Sequence, residues 1–173
     1  MKEFEYPSIY EFPPFFTKQP NADTWAKQLD MWTDLILSYC KFNRLFVLPV
    51  DQNQKPFSNS NISRTLGKDV VVLVLDRLVS VGRGVWSKDK SHCIVYWYTP
   101  EEWAAKLYQY VFDSGKTNTV CTLYELIHGD EVVDEEFYEA DEGVIKSALD
   151  VLVKQGKATL FTSTDGAIGI KFQ

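Results

Sequence analysis

The chain has 173 residues, of which 45% are hydrophobic and 14% aromatic, and its formal net charge is −6. This composition is that of a globular protein and argues against disorder as its main state. No window approaches the roughly 20 apolar residues of a membrane span, and the acidic, proline-interrupted residues 1–16 do not resemble a signal peptide. The net charge is +2 over residues 1–100 and −8 over residues 101–173, which disfavours general affinity of the C-terminal half for nucleic-acid phosphates.

Residues 1–23 are predicted to form an extended arm. A helix is disfavoured because proline lacks an N–H and restricts the residue before it, and four prolines occur here: Pro7, Pro13, Pro14 and Pro20. The same segment carries six aromatic rings: Phe4, Tyr6, Tyr10, Phe12, Phe15 and Phe16. A segment this aromatic is predicted to lie in a groove, which could belong to this protein or to another one.

Residues 24–98 predict a first domain. Apolar residues recur at helical spacing from Trp25 to Tyr39. A strand is predicted at residues 45–50, a short helix at 62–66, and a third helix at 69–81 that ends at Gly82. Residues 85–86 and 93–98 flank the polar sequence SKDKS, which is typical of a hairpin.

Residues 99–173 predict the same elements again. Capping boxes begin at Thr99, with Pro100 in the first helical position, and at Thr122. They predict helices from residue 100 to about 115 and from 122 to 128, with a strand at 120–121 between them. A further helix is predicted at 141–155, and a hairpin with strands at 158–162 and 168–172 follows.

The two halves can be overlaid residue by residue. Val71 aligns with Ile145, Leu75 with Leu149, Leu78 with Leu152 and Gly82 with Gly156. Any two amphipathic helices can be brought into register, but the shared order of helix, strand, helix, helix and hairpin is more specific. This is the winged-helix order. The sequence therefore predicts an α+β protein with two tandem winged-helix domains, residues 24–98 and 99–173, behind the extended arm.

The sequence predicts neither catalysis nor a metal or cofactor site. His92 and His128 are its only histidines, and neither has further ligands at a suitable spacing. The widely spaced Cys40, Cys93 and Cys121 are expected to be reduced thiols. P-loop, nucleophile-elbow and dinucleotide motifs are absent from the sequence.

Two features favour protein binding over DNA reading. The helix predicted at residues 69–81 has one Arg and two Asp, a poor surface for DNA. Val70, Val72 and Val79 fall off its core face and are expected to need cover from a partner. Eight carboxylates lie between Asp130 and Glu142 with no basic residue among them. They form either a solvated loop or a docking surface for a basic partner.

Three strings in order resemble one family: FPPFFTKQPN at residues 12–21, PEEW at 100–103, and TLYEL at 122–126 followed by Gly129-Asp130-Glu131. They are similar to the vacuolar protein sorting-associated protein 25 family of the ESCRT-II complex, and the resemblance extends from Tyr6 to Phe172. Some members carry two PPxY-type motifs in the arm. Here residues 6–10 lack the double proline of the first motif, and Phe16 stands where the second motif has its tyrosine.

The resemblance implies a non-catalytic subunit that sorts ubiquitinated cargo into multivesicular bodies. Two copies would join two larger winged-helix subunits in a heterotetramer, using the arm and first domain, with the contact residues Tyr10, Phe12, Pro13, Pro14, Phe15 and Phe16. The second domain would bind an ESCRT-III subunit, and its candidate contacts are Asp130, Glu131, Asp134, Glu135 and Glu136. Such a protein would be cytoplasmic and recruited peripherally to endosomal membranes. The alternative is a nuclear winged-helix protein acting in transcription, which a gel shift at low salt would detect.

Overall fold

The computed structural model describes residues 2–173, and Met1, the first residue of the predicted arm, lies outside them. The chain divides between Trp97 and Tyr98 into two units. Each unit combines helices with a three-stranded antiparallel sheet. The prediction of an α+β protein is confirmed.

The first unit begins with two single-turn 3-10 helices, Ser8–Glu11 and Pro13–Phe16. The prediction of a continuously extended arm is therefore wrong for these residues. Proline excludes the interior of an α-helix, but its fixed φ suits the start of a short 3-10 turn. Phe12 joins the two turns in an extended conformation, with φ −94° and ψ 108°.

Helix α1, Ala22–Asn43, follows the arm. It begins because the Asn21 side chain accepts hydrogen bonds from the backbone N–H groups of Asp23 and Thr24. It ends at Arg44, whose left-handed φ of 53° breaks the helical path. Strand β1, Val47–Pro49, comes next.

A small hairpin replaces the short helix that was predicted at residues 62–66. Its strands are β2, Ser58–Asn59, and β3, Arg64–Thr65. Ser63 between them has φ 53°, which an α-helix cannot accommodate. Ile62 and Leu66 have helical spacing, but a single helical turn is unstable alone, and pairing of Ser58 with Thr65 prevails here.

Helix α2, Lys68–Ser80, packs against α1 in the first unit's core, and its fully buried residues are Val71, Val74, Leu75 and Leu78. Val70 was predicted to lie off the core face, but it is also buried. Strands β4, Gly84–Trp86, and β5, His92–Val95, complete the sheet, in the order β1-β5-β4.

The second unit follows the predicted order of helices and strands, and the predicted acidic loop contains a single 3-10 turn, Asp130–Val132. Its helices are α3, Pro100–Asp113; α4, Leu123–His128; and α5, Glu142–Lys154. The strands are β6, Val120–Thr122; β7, Ala158–Thr162; and β8, Ile168–Phe172, and they lie in the order β6-β8-β7. The Thr99 and Thr122 hydroxyls cap α3 and α4 by accepting the N–H groups of Glu102 and Glu125.

The aligned residues of the two halves occupy equivalent places. Ile145, Ala148, Leu149 and Leu152 of α5 are buried like their counterparts in α2. Gly82 and Gly156 follow the two helices with φ of 77° and 74°. This left-handed conformation ends a helix and is accessible to glycine at little cost.

Candidate functional site

The arm packs against the chain's own first unit. The Phe15 ring stacks on Trp32, with centroids 4.3 Å apart and planes 4° from parallel, and Phe16 meets the same indole edge-on. The Tyr10 hydroxyl donates a hydrogen bond to the Pro56 carbonyl at 2.7 Å. These three arm rings are buried. The groove that the aromatic sequence predicted is thus found on this protein.

Buried amides hold the backbone of the arm. The Gln28 side-chain nitrogen donates to the carbonyls of Pro14 (2.9 Å), Phe15 (3.0 Å) and Thr17 (3.0 Å). The Trp32 indole N–H donates to the Phe15 carbonyl, and the Asn59 amide donates to the Tyr10 carbonyl. Sequence reasoning missed Gln28 and Asn59. The available signal was the helical spacing of Gln28 and Trp32, which puts an amide beside an indole on the buried face of α1.

The side of the arm that faces away from this groove forms a ridge. We define the arm ridge as Phe12, Pro13 and Pro14, all of which are exposed, Phe12 at 53%. Phe12 and Pro14 border a shallow groove of about 360 Å³ with Met31, which is 38% exposed. The six predicted arm contacts therefore separate into three buried rings and three exposed ridge residues.

A tyrosine cluster anchors the beginning of the arm. Tyr6 stacks on Tyr10 at 4.1 Å and lies against Tyr39 of α1, while Phe4 meets Tyr39 edge-on. Loss of solvation raises the pKa of Tyr6 to about 12, and the neighbouring Tyr39 adds to the rise. The cluster therefore stays uncharged at neutral pH.

In the second unit, the acidic segment (residues 130–142) is packed in place. Its own side chains Val132 and Phe137 are buried. Glu136 accepts hydrogen bonds from the Tyr98 hydroxyl at 2.7 Å and from the Lys106 ammonium at 3.0 Å. The hydrogen bond with Glu136 is the main cause of a raised pKa for Lys106.

The five predicted ESCRT-III contacts differ in their environments. Glu131 pairs with Lys116, and Glu136 pairs with Lys106. Asp130 and Asp134 are exposed, and Glu135 is half-buried. Asp130 and Glu131 also border a cavity of about 410 Å³ whose apolar residues include Leu126, Val132 and Phe172.

The two histidines and the acidic side chains were the remaining candidates for a metal site. No group of three His, Cys, Asp or Glu side chains within residues 2–173 is placed to hold a metal ion. His128 is exposed, with its ring centroid 4.9 Å from that of Tyr124. Over the same residues, the helices are too short or too polar to cross a membrane.

Comparison with known proteins decides the family. The model of the ESCRT-II complex subunit family matches residues 9–141. Vacuolar protein-sorting-associated protein 25 of Danio rerio is 42% identical over 172 residues, which cover 98% of each protein. The chain belongs to the vacuolar protein-sorting-associated protein 25 family of ESCRT-II subunits.

Solved structures agree with this assignment. The crystal structure of subunit VPS25 of the endosomal trafficking complex ESCRT-II superposes with a TM-score of 0.87 at 29% identity, covering 96% of this chain and 98% of the other. A chain from the endosomal complex ESCRT-II (VPS22/VPS25/VPS36) superposes with a TM-score of 0.82 at 29% identity, covering 94% and 96% of the two chains. The winged-helix prediction is confirmed.

Family membership confirms the prediction of a non-catalytic ESCRT-II subunit in endosomal sorting. It implies a cytoplasmic or endosome-associated location. The alternative of a nuclear transcription protein is not favoured by any of these similarities.

Proposed function

We propose that the chain binds two larger winged-helix subunits of ESCRT-II through its arm, residues 1–23, and its first domain, residues 24–98. Two copies of the chain would enter each complex. The observation that carries the proposal is the exposed, apolar arm ridge beside Met31. Prolines and an exposed aromatic ring suit burial in a partner's groove, because little conformational entropy remains to be lost. The related complex that contains VPS22 and VPS36 supports the choice of partner.

The arm ridge can be tested by co-purification. Replacing Phe12 and Pro13 with alanine should remove most binding to the larger subunits and leave the chain folded, because both side chains are exposed. Phe161→Ala is a matched control, since Phe161 is an exposed phenylalanine of the second unit. Normal recovery of the larger subunits with the ridge variant would contradict the proposal.

The second part of the proposal is that domain 2, residues 99–173, recruits an ESCRT-III subunit. It is supported by the net charge of −8 over residues 101–173 and by the exposed carboxylates of Asp130 and Asp134. A basic segment of the partner would complement this surface. Glu131 and Glu136 already face lysines, so the proposal assigns them a smaller share of the attraction.

Two variants, each of which replaces two carboxylates with neutral amides, separate the exposed carboxylates from those paired with lysines. Asp130→Asn with Asp134→Asn should weaken ESCRT-III binding at low salt and flatten its salt dependence, because exposed charges are screened within about 10 Å at 0.1 M salt. Glu131→Gln with Glu136→Gln is the control and should change binding less. If both variants bind like the unchanged chain at low and high salt, the acidic segment is not the contact.

We propose that these contacts would serve the sorting of ubiquitinated cargo into multivesicular bodies. We infer peripheral recruitment to endosomal membranes through the partner subunits. A fluorescently labelled chain should lie on endosomes and should disperse when the larger subunits are depleted. Endosomal retention without those subunits would argue for a direct membrane contact.

A further inference from the structure

Gln28 lies behind the arm ridge, at the base of the groove that Phe12, Pro14 and Met31 border. It is only 4% exposed, although its side chain is a polar amide on α1. The amide nitrogen donates to three arm carbonyls, and its oxygen receives the N–H of Gln19 at 3.4 Å. All the described hydrogen-bond partners of this side chain therefore belong to the arm.

The shape of the arm ridge depends on these bonds. Pro13–Phe16 is a single 3-10 turn of four residues, and such a turn is too short to be stable alone. Gln28 holds the carbonyls of two consecutive residues within it, Pro14 and Phe15, while the Phe15 ring is fixed on Trp32. Pro13 and Pro14 are thereby turned outward beside Phe12.

We propose that Gln28 is a positioning residue for binding of the larger ESCRT-II subunits: it holds the arm in the conformation that presents the ridge, and its described side-chain hydrogen bonds all go to the arm. This inference rests on the proposed function of the ridge. A partner that binds only the ordered arm has its apparent affinity reduced by the fraction of molecules in which the arm is ordered. Loss of the amide would lower that fraction.

The test is Gln28→Ala in the full chain, with affinity for the larger subunits as the measurement. We expect binding to weaken about tenfold or more, as when roughly one molecule in ten has the arm in place. Thr33→Ala is the matched control. Thr33 is also a buried polar residue of α1, but its hydroxyl donates to the Leu29 carbonyl within the helix.

A cross-link distinguishes positioning from general damage. Ser8 on the arm and Ser38 on α1 border the same groove, so a thiol cross-linker matched to the width of that groove can join Ser8→Cys to Ser38→Cys. Cys121→Ser provides the background, because Cys40 and Cys93 are buried. In the cross-linked chain, Gln28→Ala should bind within about threefold of the cross-linked parent, because the arm no longer needs the amide to stay in place.

The outcomes separate the two proposals. Equal affinity of Gln28→Ala and the unchanged chain overturns the positioning role, and so does a loss that persists after cross-linking. A loss of affinity that the cross-link reverses supports the positioning role of Gln28. If the unchanged chain fails to bind the larger subunits, the proposed function fails. In that case, hydrogen exchange at the Phe15 and Thr17 amides of the isolated chain still reports whether Gln28 orders the arm.

Discussion

Phe15→Ala should destabilise the first unit, whereas Phe12→Ala should not. Phe15 is 1% exposed and stacks on Trp32, but Phe12 is 53% exposed. Truncation of a buried phenylalanine costs about 3–5 kcal/mol. For Phe15→Ala we expect a loss of unfolding free energy at the low end of this range, about 3 kcal/mol. The arm lies at the edge of the unit and can detach without unfolding the remainder, which limits the loss. Phe12→Ala should cost less than about 0.5 kcal/mol and should act on partner binding instead.

Urea unfolding followed by tryptophan fluorescence measures this difference. Four of the five tryptophans lie in the first unit: Trp25, Trp32, Trp86 and Trp97. The signal therefore reports mainly on that unit, and Trp32 senses Phe15 directly. A loss below about 1 kcal/mol for Phe15→Ala, or equal losses for the two variants, would refute the assignment of Phe15 to the core and Phe12 to the surface.

Three further predictions concern the cap of α4, the thiols and the loop between β4 and β5. Thr122→Ala should lower the free energy of unfolding by about 1 kcal/mol by removing a helix cap, and Thr164→Ala in an exposed turn should not, as thermal unfolding can show. Burial raises the pKa of Cys40 to about 12, so iodoacetamide should label Cys40 far more slowly than the less buried Cys121, which mass spectrometry can measure. Hydrogen bonds from Ser91 and Ser87 lower the pKa of Asp89 to about 2. Asp89→Ala should therefore increase hydrogen exchange in this loop above about pH 4. The difference between the two chains should vanish as the pH falls through about 2, because the Asp89 carboxylate of the unchanged chain becomes protonated there. A difference that persists at the lowest pH would contradict this prediction.

Prediction from the sequence succeeded where the determining contacts are local. Thr99 and Thr122 mark helix starts because a cap involves residues only three positions apart. Gly82 and Gly156 mark helix ends because the left-handed backbone is costly for other residues. The buried faces of α2 and α5 followed from their helical spacing.

Prediction failed where a segment's partners lie far away in the chain. The spacing of Ile62 and Leu66 favoured a helix, yet pairing of β2 with β3 and the turn at Ser63 produced a hairpin. Val70 was assigned to the surface from the helical pattern alone, and tertiary packing buries it.

By itself, the sequence determined that the arm is aromatic, that proline keeps it from forming an α-helix, and that its rings need a groove. Only the tertiary structure decided which rings face inward. The Tyr10 hydroxyl reaches the carbonyl of Pro56, 46 residues away, and Asn59 returns a hydrogen bond to Tyr10 across 49 residues. Phe12 and Phe15 have the same side chain and the same hydrophobicity. Phe15 is buried and Phe12 is exposed because Gln28 and Trp32 donate hydrogen bonds to the backbone carbonyl of Phe15. These bonds turn the Phe15 ring onto the core and leave Phe12 on the surface.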